Sequence, residues 1–232
     1  MSLPKPLLPI FELTIPSTKK RVKFRQFTVR EEKVLVQAQQ SDDLSIIANS
    51  VKEIIAACVT GIDNVEDLTL FDIEYIMTRI RSKSVGEIID LTMPCDADVT
   101  HPRIPVRIYL ENIEVHFPEN HSKKIDLYDD VGVMMKYPSI KDLSLFDNVT
   151  GVDAIISCLD YIYTAEEIFL ANEQTREELN EFFEGLTKKQ IEKIDETFFQ
   201  NMPVFKHEIE YTCAECGHKH SKTIRGLSNF FD

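Results

Sequence analysis

The chain has 232 residues, 43% of them hydrophobic and 28% charged, with a formal net charge of −13. That length buries a full core as one large domain or two small ones, and the composition is that of a folded globular protein. The acid excess excludes general binding to nucleic acid or to an anionic membrane surface, because polyanions select surplus Lys and Arg.

No run of about 18 apolar residues offers a membrane-spanning helix. The apolar stretch within Met1–Pro9 is too short and proline-broken for a secretory signal, so the protein is expected to stay where it is made. The five cysteines are Cys58, Cys95, Cys158, Cys213 and Cys216. An odd count without a secretion signal fits a reducing compartment, where paired cysteines more often hold metal than form disulfides.

In chain order, Phe11, Leu13 and Ile15 alternate, a basic turn follows at Lys19-Lys20-Arg21, and Val22 and Phe24 resume, which predicts a β-hairpin. Thr28 and Glu31 have the spacing of a capping box and open a helix through Val34, Leu35 and Ala38. Ile47, Val51, Ile54, Ile55 and Cys58 fall on one face of a second helix, with Cys58 as a core residue. Leu70, Ile73, Met77 and Ile80 mark a third, whose last turn carries Arg79, Arg81 and Lys83 toward the negative end of the helix dipole. Gly86 suits a left-handed cap.

Alternation at Ile89–Leu91, Ile104–Leu110, Ile113–Phe117, Ile125–Leu127 and Val131–Met135 then predicts an antiparallel meander. Helices are expected at 139–147, 151–162 and 188–201, with capping boxes at Thr175–Glu178 and Thr187–Gln190. The acidic residues of this stretch (Glu166, Glu167, Glu173, Glu177, Glu178, Glu181, Glu184) read first as a solvated face. Phe205, Ile209 and Tyr211 lead into Cys213-Ala-Glu-Cys216-Gly-His218-Lys-His220, and the chain closes on Phe230-Phe231.

The expected fold class is α+β: a helical core with antiparallel β-hairpins forming a degenerate zinc-ribbon-like module, plus a helical insertion. Four segments follow. Residues 1–86 form a hairpin plus helices, and 87–136 form the meander with a first cysteine knuckle. Residues 137–203 form the acidic helical insertion, and 204–232 form a hairpin packing back on 87–136, all within one compact domain.

Cys213-x-x-Cys216-Gly is the turn that grips one tetrahedral ion in zinc ribbons, with Gly relieving the tight backbone. A strand–Cys–strand pattern occurs twice, around Cys95 and around Cys213, but Cys95-Asp-Ala-Asp98-Val-Thr-His101 lacks a second cysteine. Three readings stay open. One is a structural zinc held by Cys95, Cys213, Cys216 and either His101 or Asp98. Another is a local site using Cys213, Cys216 and His218 or His220. The last is an eroded knuckle without metal. A full ligand set leaves no open position for catalysis. No nucleophile–base pair or Gly-rich phosphate loop stands out, so no catalytic residue is assigned.

Phe24 through Leu35, then Cys58, then Phe71-Asp-Ile-Glu-Tyr-Ile-Met-Thr-Arg-Ile-Arg-Ser-Lys-Ser-Val-Gly-Glu87 resemble the baseplate hub and hub-assembly proteins of T-even-type contractile-tail bacteriophages. The Lys136-Tyr-Pro-Ser139 step and the terminal Cys-x-x-Cys-Gly-His ending in Phe230-Phe231 are similar too; the acidic part of 140–200 contributes little. The sequence departs from that pattern near Asp98, where a second cysteine would stand. The resemblance implies a viral protein made in the host cytoplasm, at work in or on the tail baseplate, with other hub proteins as partners. It implies a non-enzymatic assembly factor, or else a permanent hub subunit. Candidate partner contacts are Lys19, Lys20, Arg21, the acidic helices, Phe230 and Phe231. A more distant class is a tail-associated zinc hydrolase, which would require an open metal site with a general base.

Overall fold

The computed structural model describes residues 7–41, 43–140 and 151–225. The helix expected over 139–147, from 141 on, and Phe230-Phe231 lie outside them. The fold is mixed α/β, and its strand pairings are antiparallel. The described residues form two compact units. One is built from the chain up to Val65, Phe71–His116 and the part from Val204 on; the other from Glu66–Leu70 and Phe117–Pro203.

In the first unit, β1 (Ile10–Thr14) pairs with β2 (Arg21–Arg25), and β2 with the short β3 (Val59–Thr60). Leu13, Val22 and Phe24 are buried while the charged residues between them face out, as a period of two requires. The turn closes through Lys19 N–H to Ile15 O at 2.9 Å, with Lys19 at φ 58. The capping box opens α1 (Val29–Gln39) as its spacing predicts: Thr28 N–H donates to Glu31 Oε2 at 2.7 Å. Arg25 Nη2 donates to the other Glu31 oxygen at 3.0 Å. Burial alone would push this carboxyl up; the hydrogen bonds from Arg25 and Thr28 outweigh it and hold Glu31 down at about 2.

Helix α2 (Leu44–Cys58) buries Val51, Ile54, Ile55 and Cys58. Helix α3 (Leu70–Ser84) buries Phe71, Ile73, Ile76, Met77 and Ile80. Two polar anchors hold α3. Asp72, fully buried, accepts from Ser17 N at 2.9 Å and Ser17 Oγ at 2.5 Å. Arg79 donates to the carbonyls of Leu110 at 2.7 Å and Ile113 at 2.8 Å, its guanidinium lying 4.6 Å from the Tyr75 ring centroid. The sequence reading gave Arg79 only a helix-dipole role; the structure makes it the tie between α3 and the strands that follow. Gly86 sits at φ 155, positive but outside the left-handed helical cap that its position suggested.

β4 (Ile88–Met93) pairs with β5 (Ile104–Tyr109) as an isolated hairpin, from Ile88 opposite Tyr109 to Met93 opposite Ile104. β6 (Glu114–His116), β11 (Val204–Thr212) and β12 (Lys219–Arg225) make a second sheet in the order β12-β11-β6. The 3-10 turn Leu110–Asn112 redirects the chain after β5, so β6 takes β11 as its partner instead of extending a meander.

In the second unit the sheet order is β10-β9-β8-β7, with β7 Lys124–Tyr128, β8 Val131–Met135, β9 Leu159–Tyr163 and β10 Ile168–Leu170. The strands expected as one meander over 87–136 are thus shared among three sheets. Helices α4 (Val152–Ser157), α5 (Arg176–Glu184) and α6 (Lys188–Ile194) complete the unit, around Ile125, Val133, Met135, Leu159, Phe183 and Phe198. Both capping boxes form as expected. The helix expected over 151–162 stops at Ser157, because Leu159-Asp-Tyr-Ile-Tyr163 takes the strand conformation that aromatic and β-branched residues favour. That expected over 188–201 is α-helical only to Ile194 and continues as a wider π-type turn over Asp195–Phe199.

Since the folded pKa of Glu31, about 2, lies below its ordinary 4.5, its ionic cap contributes stability above pH 4.5 and loses it as pH falls through 2. Glu31→Gln is expected to cost about 1–2 kcal/mol at pH 7, allowing for solvent screening, and almost nothing near pH 2. Thermal melts of both proteins across that range check it; an equal cost at the two ends would count against the cap.

Candidate metal centre

Two turns at the open ends of two hairpins build the site. In the β4–β5 turn, the Asp98 carboxylate accepts from Thr100 N at 2.9 Å and Thr100 Oγ1 at 2.7 Å, and His101 N–H donates to Asp98 O at 3.2 Å. This local turn swings His101 back beside Cys95. In the β11–β12 turn, Cys213 N–H donates to His218 O and Gly217 N–H to Cys213 O, both at 2.9 Å. Gly217 stands at φ 70, which side chains bearing a Cβ rarely adopt. Tyr211 Oη donates to Pro94 O at 3.2 Å and couples the two turns.

These turns bring Cys95, His101, Cys213 and Cys216 together, one ligand atom from each, all within 4.8 Å of one another. Cys95 Sγ lies 3.7 Å from Cys216 Sγ, and Cys213 Sγ lies 3.6 Å from His101 Nδ1. A tetrahedral zinc with Zn–S of about 2.3 Å and Zn–N of about 2.0 Å separates sulfurs by roughly 3.8 Å and sulfur from nitrogen by roughly 3.5 Å. These two separations are close to those of such a cage. A disulfide needs sulfurs about 2.05 Å apart, and Cys95, Cys213 and Cys216 form none.

The environment favours the thiolate at Cys95, whereas at Cys216 a backbone hydrogen bond from His218 is outweighed by desolvation and by hydrogen bonding with Cys213 and Cys95, which raise its thiol. Hydrogen bonding with His101, supported by the backbone N–H groups of Asp98 and Ala97, holds the Cys95 thiol down at about 6. The same pairing with Cys95, followed by contacts with Cys213 and Asp98, raises the His101 imidazole above its ordinary value. His101 Nε2 stands 3.7 Å from Asp98 Oδ2. Asp98, an expected alternative ligand, therefore lies on the Nε2 side of His101, while Nδ1 faces Cys213.

The local alternative through His218 and His220 is not assembled. His218 is exposed. His220 is buried, stacks on Tyr211 with centroids 4.8 Å apart, and sets Nδ1 3.5 Å from Asp96 Oδ2. Lys222 Nζ stands 3.4 Å from the other Asp96 oxygen. His220 Nε2 is buried with no hydrogen-bond partner among the described residues, while the His220 ring contributes to the lowering of the Cys95 thiol. Sequence reading missed Asp96 and Tyr211 as members of this surround. Tyr211 left a signal, its alternation with Ile209 on the buried face; Asp96 left none.

Of the partner-contact candidates, Lys19 and Lys20 in the β1–β2 turn and Arg21 at the start of β2 are exposed, and Lys20 Nζ already pairs with Asp63 at 2.7 Å. The acidic residues named from the sequence are exposed in the second unit. Cys58, read as core, is buried, and burial pushes its thiol up to about 11, away from nucleophilic use. Cys158 is likewise buried, within the core of the second unit.

Fold and site thus define a mixed α/β scaffold with one Cys/His cluster, among the described residues, that could hold a metal ion. The chain belongs to the T4 bacteriophage base plate protein family, whose profile matches residues 8–232. It is similar to the baseplate hub assembly protein gp26 of Enterobacteria phage T4, 26% identical over 217 residues that cover 92% of this chain and 93% of that protein. No solved structure matches it.

A Cβ on Gly217 meets no atom within 4 Å, so its positive φ is the whole objection to a side chain there. Gly217→Ala is expected to lower stability by about 1 kcal/mol, and Gly217→Asn by less, in denaturant titration. Equal stability of glycine and alanine would contradict the turn geometry.

Proposed function

We propose that the protein promotes assembly of the central hub of a phage tail baseplate by binding hub subunits, without catalysing a chemical reaction. The observation carrying this reading is the correspondence, over nearly the full length of both chains, with a protein named for baseplate hub assembly. The build of the molecule supports it. The Cys/His cluster presents four protein atoms to one centre and leaves a tetrahedral ion no open position for substrate. The charged surface suits protein partners. The β1–β2 hairpin offers Lys19, Lys20 and Arg21, and α5 with the segments before it offers a run of exposed glutamates.

On this reading the two cysteine-bearing hairpins form a degenerate zinc-ribbon-like module that keeps the first unit in one conformation, while the exposed charged segments make the contacts. The acid excess favours partners with basic surfaces over nucleic acid. No described helix is long and apolar enough to cross a membrane. The work is done in the host cytoplasm, on tail precursors, and the protein leaves before the tail is complete.

Affinity purification of the full chain from infected cells, followed by analysis of finished tails, tests this. Hub subunits are expected to co-purify, and finished tails to lack the protein. A fixed copy number in finished tails would replace the assembly factor with a permanent hub subunit. Failure to capture any hub protein would overturn both.

A further inference from the structure

We propose that Cys95, His101, Cys213 and Cys216 hold one structural zinc ion, bound through three sulfurs and the His101 Nδ1 atom, with Asp98 orienting the imidazole from behind. Nothing in the hub-assembly reading requires a metal, and this inference stands or falls independently of it.

Four observations converge. The sulfur–sulfur and sulfur–nitrogen separations of 3.7 Å and 3.6 Å are those of a tetrahedral cage around an ion, well short of disulfide contact. The ligands come in two pairs from two separate hairpin turns, which is how a ribbon-type site cross-links its halves. The Gly217 backbone at φ 70 and the 2.9 Å bond from its N–H to Cys213 O shape the second turn so that both its cysteines reach the same point. The 3.7 Å approach of Asp98 Oδ2 to His101 Nε2 leaves Nδ1 as the inward nitrogen, as a carboxylate–histidine–metal arrangement demands.

Metal identity follows from the donors. Three thiolates and an imidazole in tetrahedral array select zinc among common cytosolic ions, since oxygen-seeking magnesium and calcium do not take such a set. Binding releases the protons of thiols that lose them and forms four metal–ligand bonds; no oxidant or reductant is involved. The four protein ligands fill the coordination shell, so the ion holds the fold together and does not activate water. His218 and Asp96 lie outside the shell. The buried His220 ring, with Nδ1 3.5 Å from Asp96 Oδ2, also lies outside the four-ligand group.

The test is elemental analysis of the full chain purified under reducing conditions, with His218→Ala as a variant outside the shell. One zinc per chain is expected in both, and its loss in Cys95→Ser and Cys213→Ser. Asp98→Asn should keep the stoichiometry but bind zinc about 10–100-fold more weakly in chelator competition. The cysteine variants could fail to fold, so the wild type is also loaded with cobalt(II) after zinc removal. Absorption bands of tetrahedral cobalt with sulfur-to-metal charge transfer are expected. Metal-free protein with its thiols all titratable, or octahedral cobalt without the charge-transfer band, would overturn the proposal; so would zinc retained in Cys95→Ser or lost from His218→Ala.

Discussion

Within the first unit, two hairpin turns that lie far apart in the chain meet. Cys95 and Cys216 are separated by 121 residues yet stand 3.7 Å apart. Bringing such distant positions together costs chain entropy, and a link that holds them there contributes most when the loop it closes is long. Backbone pairing does not provide that link directly, because β4–β5 is an isolated two-stranded hairpin and β11–β12 belongs to another sheet. Tyr211 on Pro94 and the sulfur–nitrogen cluster connect the two. A metal in the cluster makes its binding free energy part of the folding free energy, as in other small metal-organised modules.

The rest of the unit sets those turns in place. Asp72 fastens α3 to the β1–β2 turn through Ser17, and Arg79 fastens it to Leu110 and Ile113. Both anchors are charged groups used inside the fold, where an unpaired charge is costly and a paired one fixes geometry. The chain leaving α3 enters β4, whose far end delivers Cys95. An ordinary amphipathic helix thereby becomes the base on which the Cys95 turn is mounted.

Local patterns were legible in the sequence and long-range pairings were not. The capping boxes at Thr28, Thr175 and Thr187 form as their spacing requires, because each depends on atoms three residues apart. Ile54 and Ile55 in α2, and Ile73, Met77 and Ile80 in α3, are buried for the same reason, one helical face being set by its own period. The meander over 87–136 dissolves into three sheets, since alternation marks a strand without saying which neighbour it takes. The stretch at Leu159–Tyr163 shows where two periods compete: apolar spacing at 155, 158 and 162 suits a helix, while the aromatic and β-branched content prevails after Ser157. At the site, the cysteines could be read from their knuckle spacing. The choice between His101 and Asp98, or between Cys95 and the local histidines, depends on side-chain direction, which spacing alone does not contain.

Membership of the baseplate family and the cluster geometry support one proposal: a scaffold whose two hairpin turns gather four residues that could hold a metal ion, with exposed charged segments offered to partners. X-ray absorption at the zinc edge of the full chain, purified from cells without added metal, addresses its core most directly. Three sulfurs at about 2.3 Å and one nitrogen at about 2.0 Å are the shell this account predicts. A shell of oxygens, or one with fewer than three sulfurs, would contradict it.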